Sequence, residues 1–393
     1  MKIAIEGQRL FRQKKHGMDF VALELIKNLM KIDKINQYFV FVAPGPDKCL
    51  SDTSNFKIIE LDGGAYPLWE QKALPKAVKQ YNCELLQCTS NTAPVNPGVP
   101  LIVILHDIIY MESIALFRKG YTLYQKIGNM YRRFIVPRVV KKADKIITVS
   151  NFERNRIKDF FNIDDDKIVA IYNGVGAHFK PIDDKKLLEE IKKKYSLPDK
   201  YMFFLGNTDP KKNTKGVLQA YSQFVKQNGD EVKLLMLDFD ETELKKLLTE
   251  IKAPELRKNI FLAGYVVNTD LPAFYNMAEL FLYPSLRESF GIPMLEAMAC
   301  GVPVITSNTS SMPEVAGDSA LIIDPYKPSE ICNAIEKLLS DNDLKNSLVE
   351  KGLNRAEKFS WENMARQNLE LYKSVLSINR NLENEYNTKM MFI

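Results

Sequence analysis

The chain has 393 residues, with 54 Lys plus Arg, 49 Asp plus Glu, 46% hydrophobic and 26% charged residues, which suits a globular protein of about two domains and excludes disordered, collagen-like and coiled-coil classes. No apolar run approaches the ~18 residues of a membrane span, and Met1-Lys-Ile-Ala-Ile-Glu-Gly7 reads as a first strand rather than a signal peptide. Cys49, Cys83, Cys88, Cys300 and Cys332 match no disulfide framework or zinc motif, and 3 scattered histidines build no metal site, so a reduced, cytosolic, metal-free protein is expected.

Strand-like runs alternate with helical patterns along the whole chain. The first half gives strands at Lys2–Glu6, Tyr38–Ala43, Phe56–Leu61, Glu84–Cys88, Leu101–His106, Lys145–Val149 and Ile168–Ile171, with helices at Met18–Ile32 and Trp69–Tyr81. After a turn-rich linker at Tyr172–Pro181, strands fall at Tyr201–Leu205, Lys233–Asp238, Ile260–Ala263, Leu280–Tyr283, Pro303–Thr306 and Ala320–Ile323. Helices fit Thr214–Gln227, Glu241–Ile251, Leu271–Met277, Pro293–Ala299, Ser329–Ser340 and Asp343–Lys358, and Asn384–Ile393 reads as a loose tail. This alternation predicts an α/β protein of two doubly wound Rossmann-like domains, with ligands at the carboxyl ends of parallel strands.

The formal net charge of +5 is divided unevenly, with 26 basic against 18 acidic residues over 1–172 and 28 against 31 over 173–393. A basic first half points to an anionic partner, a lipid surface or a diphosphate. Nucleic acid is not expected, because no zinc finger, RNA-binding aromatic motif or basic helix-turn-helix pattern is present. Within that half, Phe117–Lys145 holds nine basic residues and only Asp144 as an acid, interleaved with Tyr121, Tyr124, Ile127, Tyr131, Phe134 and Ile135. The pattern fits contact with an anionic membrane leaflet, and equally an ordinary helix with a solvated basic face.

The window from Tyr283 to Ile305 carries the most chemistry. A strand ends near Tyr283, a loop crosses Pro284–Gly291, and Pro293 opens a helix that Gly301 closes. Backbone N–H groups of Ser289, Phe290 and Gly291 then lie at the positive end of the helix dipole, where an anionic or hydroxyl-rich ligand can be held. Glu288 and Glu296, eight apart, could accept hydrogen bonds from two hydroxyl-bearing parts of one ligand. On spacing alone they could also be a surface charge and a plain helix acid. Lys212, in Asp209-Pro-Lys-Lys-Asn213, offers a cation in a turn after the strand that ends at Leu205.

The Tyr283–Ile305 window resembles the E-x7-E signature of the retaining GT-B glycosyltransferases of family 4. Leu68-Trp-Glu-Gln71, His106-Asp107, Thr148-Val-Ser150, Asn173-Gly-Val175, Gly206…Pro210-Lys-Lys-Asn213 and Ser310-Ser-Met-Pro-Glu-Val-Ala-Gly317 follow the family's order, from about Met1 to Val375. The resemblance implies a GT-B fold, two Rossmann-like domains facing a central cleft. It divides the chain into an acceptor-side domain at 1–172, a donor-binding domain at 173–360, and a helix in 361–393 returning to the first domain before the tail.

It further implies that Glu288 contacts hydroxyls of the transferred sugar, Glu296 the ribose, and the 289–291 amides the sugar. Ser289 replaces the family's usual glycine. Lys212 would neutralise the diphosphate. The usual second cation is replaced by Asn207, leaving Lys211 or a residue of the first half to share that load. His106 would support the sugar, Gly17 would close the loop under the phosphates, and Tyr265 after Gly264 would bracket the base.

The implied reaction moves a hexosyl unit, mannosyl first, from GDP-mannose or a UDP-hexose to a lipid-linked or oligosaccharide acceptor in surface polysaccharide assembly. It would run at the cytoplasmic face with no cofactor. A UDP-hexose-dependent transferase, a GT-B epimerase and a non-catalytic sugar-nucleotide-binding subunit remain alternatives. Asp238-Phe-Asp240 and Asp164-Asp-Asp166 look like metal motifs but lack a supporting context.

Overall fold

Four-residue runs such as Leu101-Ile-Val-Ile104 and Leu280-Phe-Leu-Tyr283 are buried at every position, as strands covered on both faces by crossover helices must be. A computed structural model describes residues 1–112 and 123–390 and divides the chain into two units, Met1–Asn173 with Trp361–Ile393, and Gly174–Ser360.

In the first unit the order is β1 (Lys2–Glu6), α1 (Gly17–Ile32), β2 (Gln37–Val42), β3 (Phe56–Glu60), α2 (Tyr66–Leu68), α3 (Leu74–Gln80), β4 (Leu85–Cys88), β5 (Leu101–Ile104), α4 (Ile109–Glu112), α5 (Leu123–Lys142), β6 (Lys145–Thr148), α6 (Asn151–Phe161) and β7 (Ile168–Ala170). The second unit follows with α7 (Lys185–Tyr195), β8 (Tyr201–Phe204), α8 (Thr214–Asn228), β9 (Lys233–Met236), α9 (Glu241–Glu250), β10 (Ile260–Leu262), α10 (Leu271–Asn276) and β11 (Leu280–Tyr283). It ends with α11 (Ile292–Ala299), β12 (Val304–Ser307), α12 (Met312–Ala316), β13 (Leu321–Ile323), α13 (Pro328–Ser340) and α14 (Asn342–Ala356), after which α15 (Trp361–Met390) belongs to the first unit again.

All strand pairs are parallel, in the orders β3-β2-β1-β4-β5-β6-β7 and β10-β9-β8-β11-β12-β13. Both are doubly wound, reversing direction between β1 and β4 and between β8 and β11. The predicted fold class is therefore observed. In the second sheet Leu280 faces Met202 and Leu282 faces Phe204, and both pairs enter a core with Val217, Tyr221 and Ile335.

Some local expectations are corrected. The helix predicted over Trp69–Tyr81 is present but begins earlier, at Tyr66, and reaches Gln80 through a π turn at Trp69–Ala73, with the Leu74 N–H donating to the Trp69 carbonyl five residues back. Pro75 lacks the N–H that a regular helix would use next. The tail expected from Asn384 is helical to Met390, since no glycine or proline interrupts Trp361–Met390. Residues 391–393 lie outside the described residues, as do Phe117, Arg118, Lys119 and Tyr121 of the basic stretch.

Helix α15 packs on α1 and buries Met364, Ala365, Asn368, Tyr372, Val375 and Leu376 at helical spacing. Beneath it Gln87 of β4, fully buried, donates to Asn368 Oδ1 at 2.8 Å and accepts from the Tyr372 hydroxyl. Gln87→Leu leaves Asn368 Oδ1 and the Tyr372 hydroxyl buried without this partner, while Asn368 Nδ2 keeps its bond to the Met364 carbonyl. Unpaired buried groups cost about 1–3 kcal/mol, so the urea midpoint should fall by that equivalent, with little change from the exposed control Lys79→Ala.

Candidate functional site

The strand order of the second sheet reverses between β8 and β11, so the loops leaving these two neighbours diverge and open a crevice at their carboxyl ends. The loop after β8 carries Lys212 and the loop after β11 carries Glu288. A short 3-10 turn over Pro210–Lys212 is capped by Asp209, which accepts the Lys211 N–H at 3.1 Å. Asn213 follows in a left-handed conformation (φ 58°), and its amide donates to the carbonyls of Pro284 at 3.1 Å and Pro325 at 2.7 Å. The Leu286 N–H closes the seam on the Lys211 carbonyl at 2.7 Å.

This stitching brings the Lys212 ammonium to 2.6 Å from Glu288 Oε1 and 3.3 Å from the Tyr283 hydroxyl, with the Tyr283 ring centroid 5.0 Å away. Side-chain exposure of 16% for Lys212 and 13% for Glu288 leaves the pair mostly shielded, so their attraction is screened far less than at an open surface.

The Pro284–Gly291 loop is held from the far side by three consecutive hydroxyl residues after β12. Thr309 donates to the carbonyls of Leu286 (3.1 Å) and Ser285 (3.3 Å), and Ser310 accepts the Glu288 N–H at 3.0 Å. Ser311 donates to the carbonyls of Glu288 (3.0 Å) and Phe290 (3.2 Å). The Phe290 ring is buried against Phe359, 5.8 Å between centroids, so only its backbone is placed to meet a ligand. Ser289 is partly exposed, and Gly291 caps α11 at φ +100°.

Glu296 lies on the second turn of α11, where its Oε2 accepts the Tyr275 hydroxyl at 3.0 Å. The residue is partly exposed overall, yet burial of its carboxyl pushes the pKa up to about 7, tempered by the Tyr275 bond. Near neutral pH this carboxyl is therefore close to half protonated.

The other predicted residues are spread more widely. Asn207 is exposed and accepts the Asp209 N–H at 2.9 Å, while Lys211 turns back to Asp209 at 3.7 Å. Tyr265 is 77% exposed, so its ring is not a core aromatic, but it follows β10, and β9 and β8 separate that edge strand from β11. Gly17 and His106 belong to the first unit. Gly17 opens α1 where an added Cβ would meet open space, and the helix end is secured instead by His16 and Asp19.

His106 is buried two residues beyond β5. Its N–H donates to Asn91 Oδ1 at 2.6 Å, and its Nε2 lies 3.0 Å from the Thr89 carbonyl, which can only accept. The ring thus carries its proton on Nε2, and burial lowers its pKa, so it is a neutral imidazole at neutral pH. Thr89 is in turn held by Glu6, whose carboxylate accepts the Thr89 N–H and hydroxyl at 3.2 Å each.

Asp240 caps α9 by accepting the Glu243 N–H, and Asp165 pairs with Arg154 and Lys158 at 2.8 Å each. Among the described residues no group of three His, Cys, Asp or Glu could hold a metal ion. Sequence reasoning assigned no role to Tyr275, Tyr283 or Thr309, nor to Ser310 and Ser311 beyond their place in a motif. The run of three hydroxyl residues is a visible signal, whereas the tyrosines look like core aromatics.

Comparison with known proteins agrees with this geometry. The family described as "Glycosyl transferases group 1" matches residues 187–355, and "Glycosyltransferase Family 4" matches residues 16–178. The chain is 35% identical over 231 residues to O-antigen chain mannosyltransferase B of Escherichia coli, covering 59% of this chain and 61% of that protein. It is 30% identical over 251 residues to serotype-specific mannosyltransferase WbdA of Escherichia coli, 63% of this chain but only 31% of the relative. Among solved structures, a glycosyltransferase from Rickettsia africae superposes with a TM-score of 0.74 at 20% identity, covering 95% and 98% of the two chains. Anabaena HepE, solved with UDP and glucose, gives 0.72 at 17% identity over 95% and 100%. At these identities the superpositions establish the fold, GT-B.

Gly291→Ala tests the loop. The added Cβ would lie 2.6 Å from Met312 Cε, but that methyl is the free end of a flexible chain and can move aside. Backbone strain at φ +100° therefore sets the cost, about 1–2 kcal/mol, and thermal unfolding of the variant should begin correspondingly lower than that of Gly128→Ala, which adds its Cβ within α5 at a position with room for it and no positive φ.

Proposed function

The chain belongs to the group 1, family 4 glycosyltransferases, and we propose that it transfers a hexosyl unit, mannosyl first, from a nucleoside diphosphate sugar to a lipid-linked or oligosaccharide acceptor in surface polysaccharide assembly. The observation that carries this reading is the Lys212–Glu288 pair at the β8/β11 reversal, 2.6 Å apart beside a loop opening α11. The names of the Escherichia coli relatives support mannose as the sugar; the donor proposed first is GDP-mannose, with a UDP-hexose as the alternative.

In the proposed reaction the bond between the sugar's anomeric carbon and the diphosphate oxygen breaks, and its electron pair leaves with the phosphate. Lys212 stabilises that growing negative charge. The acceptor hydroxyl attacks from the face the phosphate is leaving, and the departing phosphate oxygen takes its proton, so anomeric configuration is retained. Glu288 holds hydroxyls of the transferred sugar, Glu296 those of the ribose, and the amides of Ser289–Gly291 steady the sugar. In the first unit, neutral His106 binds sugar without acting as a nucleophile. No metal or cofactor enters this scheme.

The enzyme is proposed to work in the cytoplasm, at the inner face of a membrane. No helix of the described residues is long and apolar enough to cross one. Support for surface contact comes from α5, where Ile127, Met130 and Phe134 are 57%, 57% and 58% exposed at helical spacing, alongside Arg138, Lys141 and Lys142.

Donor hydrolysis assayed across GDP- and UDP-sugars should single out GDP-mannose, and Lys212→Ala should lower kcat far more than it raises KM, since its interaction grows as charge develops. Normal turnover with weaker saturation would reduce Lys212 to a binding residue, and no hydrolysis or transfer with any donor would favour a non-catalytic binding subunit. Sedimentation with anionic vesicles should be clear at low salt, fade as salt rises and be absent with neutral vesicles. Phe134→Ser with Lys141→Glu should weaken it while leaving donor hydrolysis unchanged; equal partition onto both vesicle types would remove the electrostatic contact.

A further inference from the structure

We propose that Tyr275 and Tyr283 are positioning residues for the two glutamates, the Tyr275 hydroxyl aiming the Glu296 carboxylate directly and the Tyr283 hydroxyl aiming that of Glu288 through Lys212. This rests on the reading of Glu288 and Glu296 as donor ligands, and assigns the residues that aim them. Each glutamate has one buried tyrosine at its side. Tyr275, fully buried on α10, donates its only hydroxyl proton to Glu296 Oε2 at 3.0 Å. Tyr283, 1% exposed at the end of β11, accepts from the Lys212 ammonium at 3.3 Å, and the same ammonium donates to Glu288 Oε1 at 2.6 Å.

The polarity is forced. A Lys ammonium has only protons to give, so Tyr283 accepts from it as Glu288 does, and the ammonium bridges hydroxyl and carboxylate. The two rings are themselves locked. Phe281 lies between them, 5.2 Å from Tyr275 edge-on and 5.7 Å from Tyr283 in a stacked arrangement, and Phe203 adds an edge contact to Tyr275 at 5.0 Å. Each hydroxyl thus projects from a rigid ring, and one carboxylate oxygen is fixed while the other stays available to a ligand.

The groups facing Glu296 are Tyr275 from α10, Tyr283 from β11 and Cys300 from its own helix, all neutral at neutral pH because burial raises each of them. None supplies a cation, so the Tyr275 bond is the interaction that favours the ionised carboxyl. Removing it must move the Glu296 titration upward, whereas a hydroxyl serving only packing would leave that titration where it is.

Tyr275→Phe and Tyr283→Phe keep both rings, and circular dichroism will report whether each variant is folded. Carbon-13 carboxyl NMR of the ligand-free protein, with Glu296→Gln and Glu288→Gln to identify the signals, reads the proposal without any substrate. Glu296 should titrate near 7 in the parent and about 1 pH unit higher in Tyr275→Phe. The Glu288 signal should move in Tyr283→Phe and stay put in Tyr275→Phe. With donor present, the pH at which GDP binding is half lost on the acid side should rise in Tyr275→Phe, and Tyr283→Phe should lower kcat about tenfold with KM within about twofold. An unmoved Glu296 titration overturns the assignment of Tyr275, and an unmoved Glu288 signal overturns that of Tyr283. Failure of the parent to bind any nucleoside diphosphate would instead overturn the proposed function, with the titrations still deciding the tyrosines.

Discussion

A parallel strand can reach its neighbour only through a crossover, and nearly every such crossover is right-handed. In the second unit this constraint carries the chain outward from β8 to β10 and then back to β11 on the opposite side of β8. Two adjacent strands are left whose following loops run in opposite directions. Everything chemically notable in that unit is built at this place, from Lys212 on one loop to Glu288 on the other. The apolar sheet supplies the rigidity and the reversal supplies the opening.

Rigidity of the strands would be of little use if the loops beyond them were slack. Asn213 and the Lys211 carbonyl tie the first loop to the second, and Thr309, Ser310 and Ser311 hold the second from behind. Each neutral bond of this kind contributes about 0.5–1.5 kcal/mol, modest singly, but together they restrain the segment Ser285–Phe290 at several backbone groups. The shielded Lys212–Glu288 pair is the complementary risk. A mostly buried charge is tolerable only while its partner is present, so the architecture tolerates loss of either side chain poorly whatever the ligand.

Most of the sheet framework was legible because a buried parallel strand is a continuous apolar run, and β11 was read to the residue. Helices α6 and α7 were missed for the opposite reason. Asn151–Phe161 and Lys185–Tyr195 bury only Glu153 and Ile157 in the one and Ile191 in the other, so charged residues dominate both runs, even though Leu188, Ile191 and Tyr195 of the second keep a helical spacing. Their ends are nonetheless well specified, by Ser150 and Asp184 as caps and by Asn162 and Ser196 in left-handed closing turns. At the site, Glu288, Glu296 and Lys212 stood out because charges at strand ends and helix starts are unusual enough to ask for a reason. Tyr275 and Tyr283 did not, since a tyrosine in an apolar run looks the same whether its hydroxyl is idle or aimed at a charged group. Their partners lie 21 positions away for Tyr275 and 71 for Tyr283 with Lys212, and only the folded sheet brings them together.

The return of α15 to the first unit has a consequence for how the chain is made. Gln87 meets Asn368 across 281 positions, and α1 waits for a helix that is translated only after the whole second unit. A ribosome adding about 5–20 residues per second needs roughly 10–40 s to synthesise residues 174–360. Throughout that interval the face of α1 that α15 will cover, and the polar side chain of Gln87 beneath it, have no partner from their own chain. The second unit, uninterrupted in sequence, can finish folding first. Birth order and folding order are thus inverted: the unit that begins earlier closes only once α15 has been made.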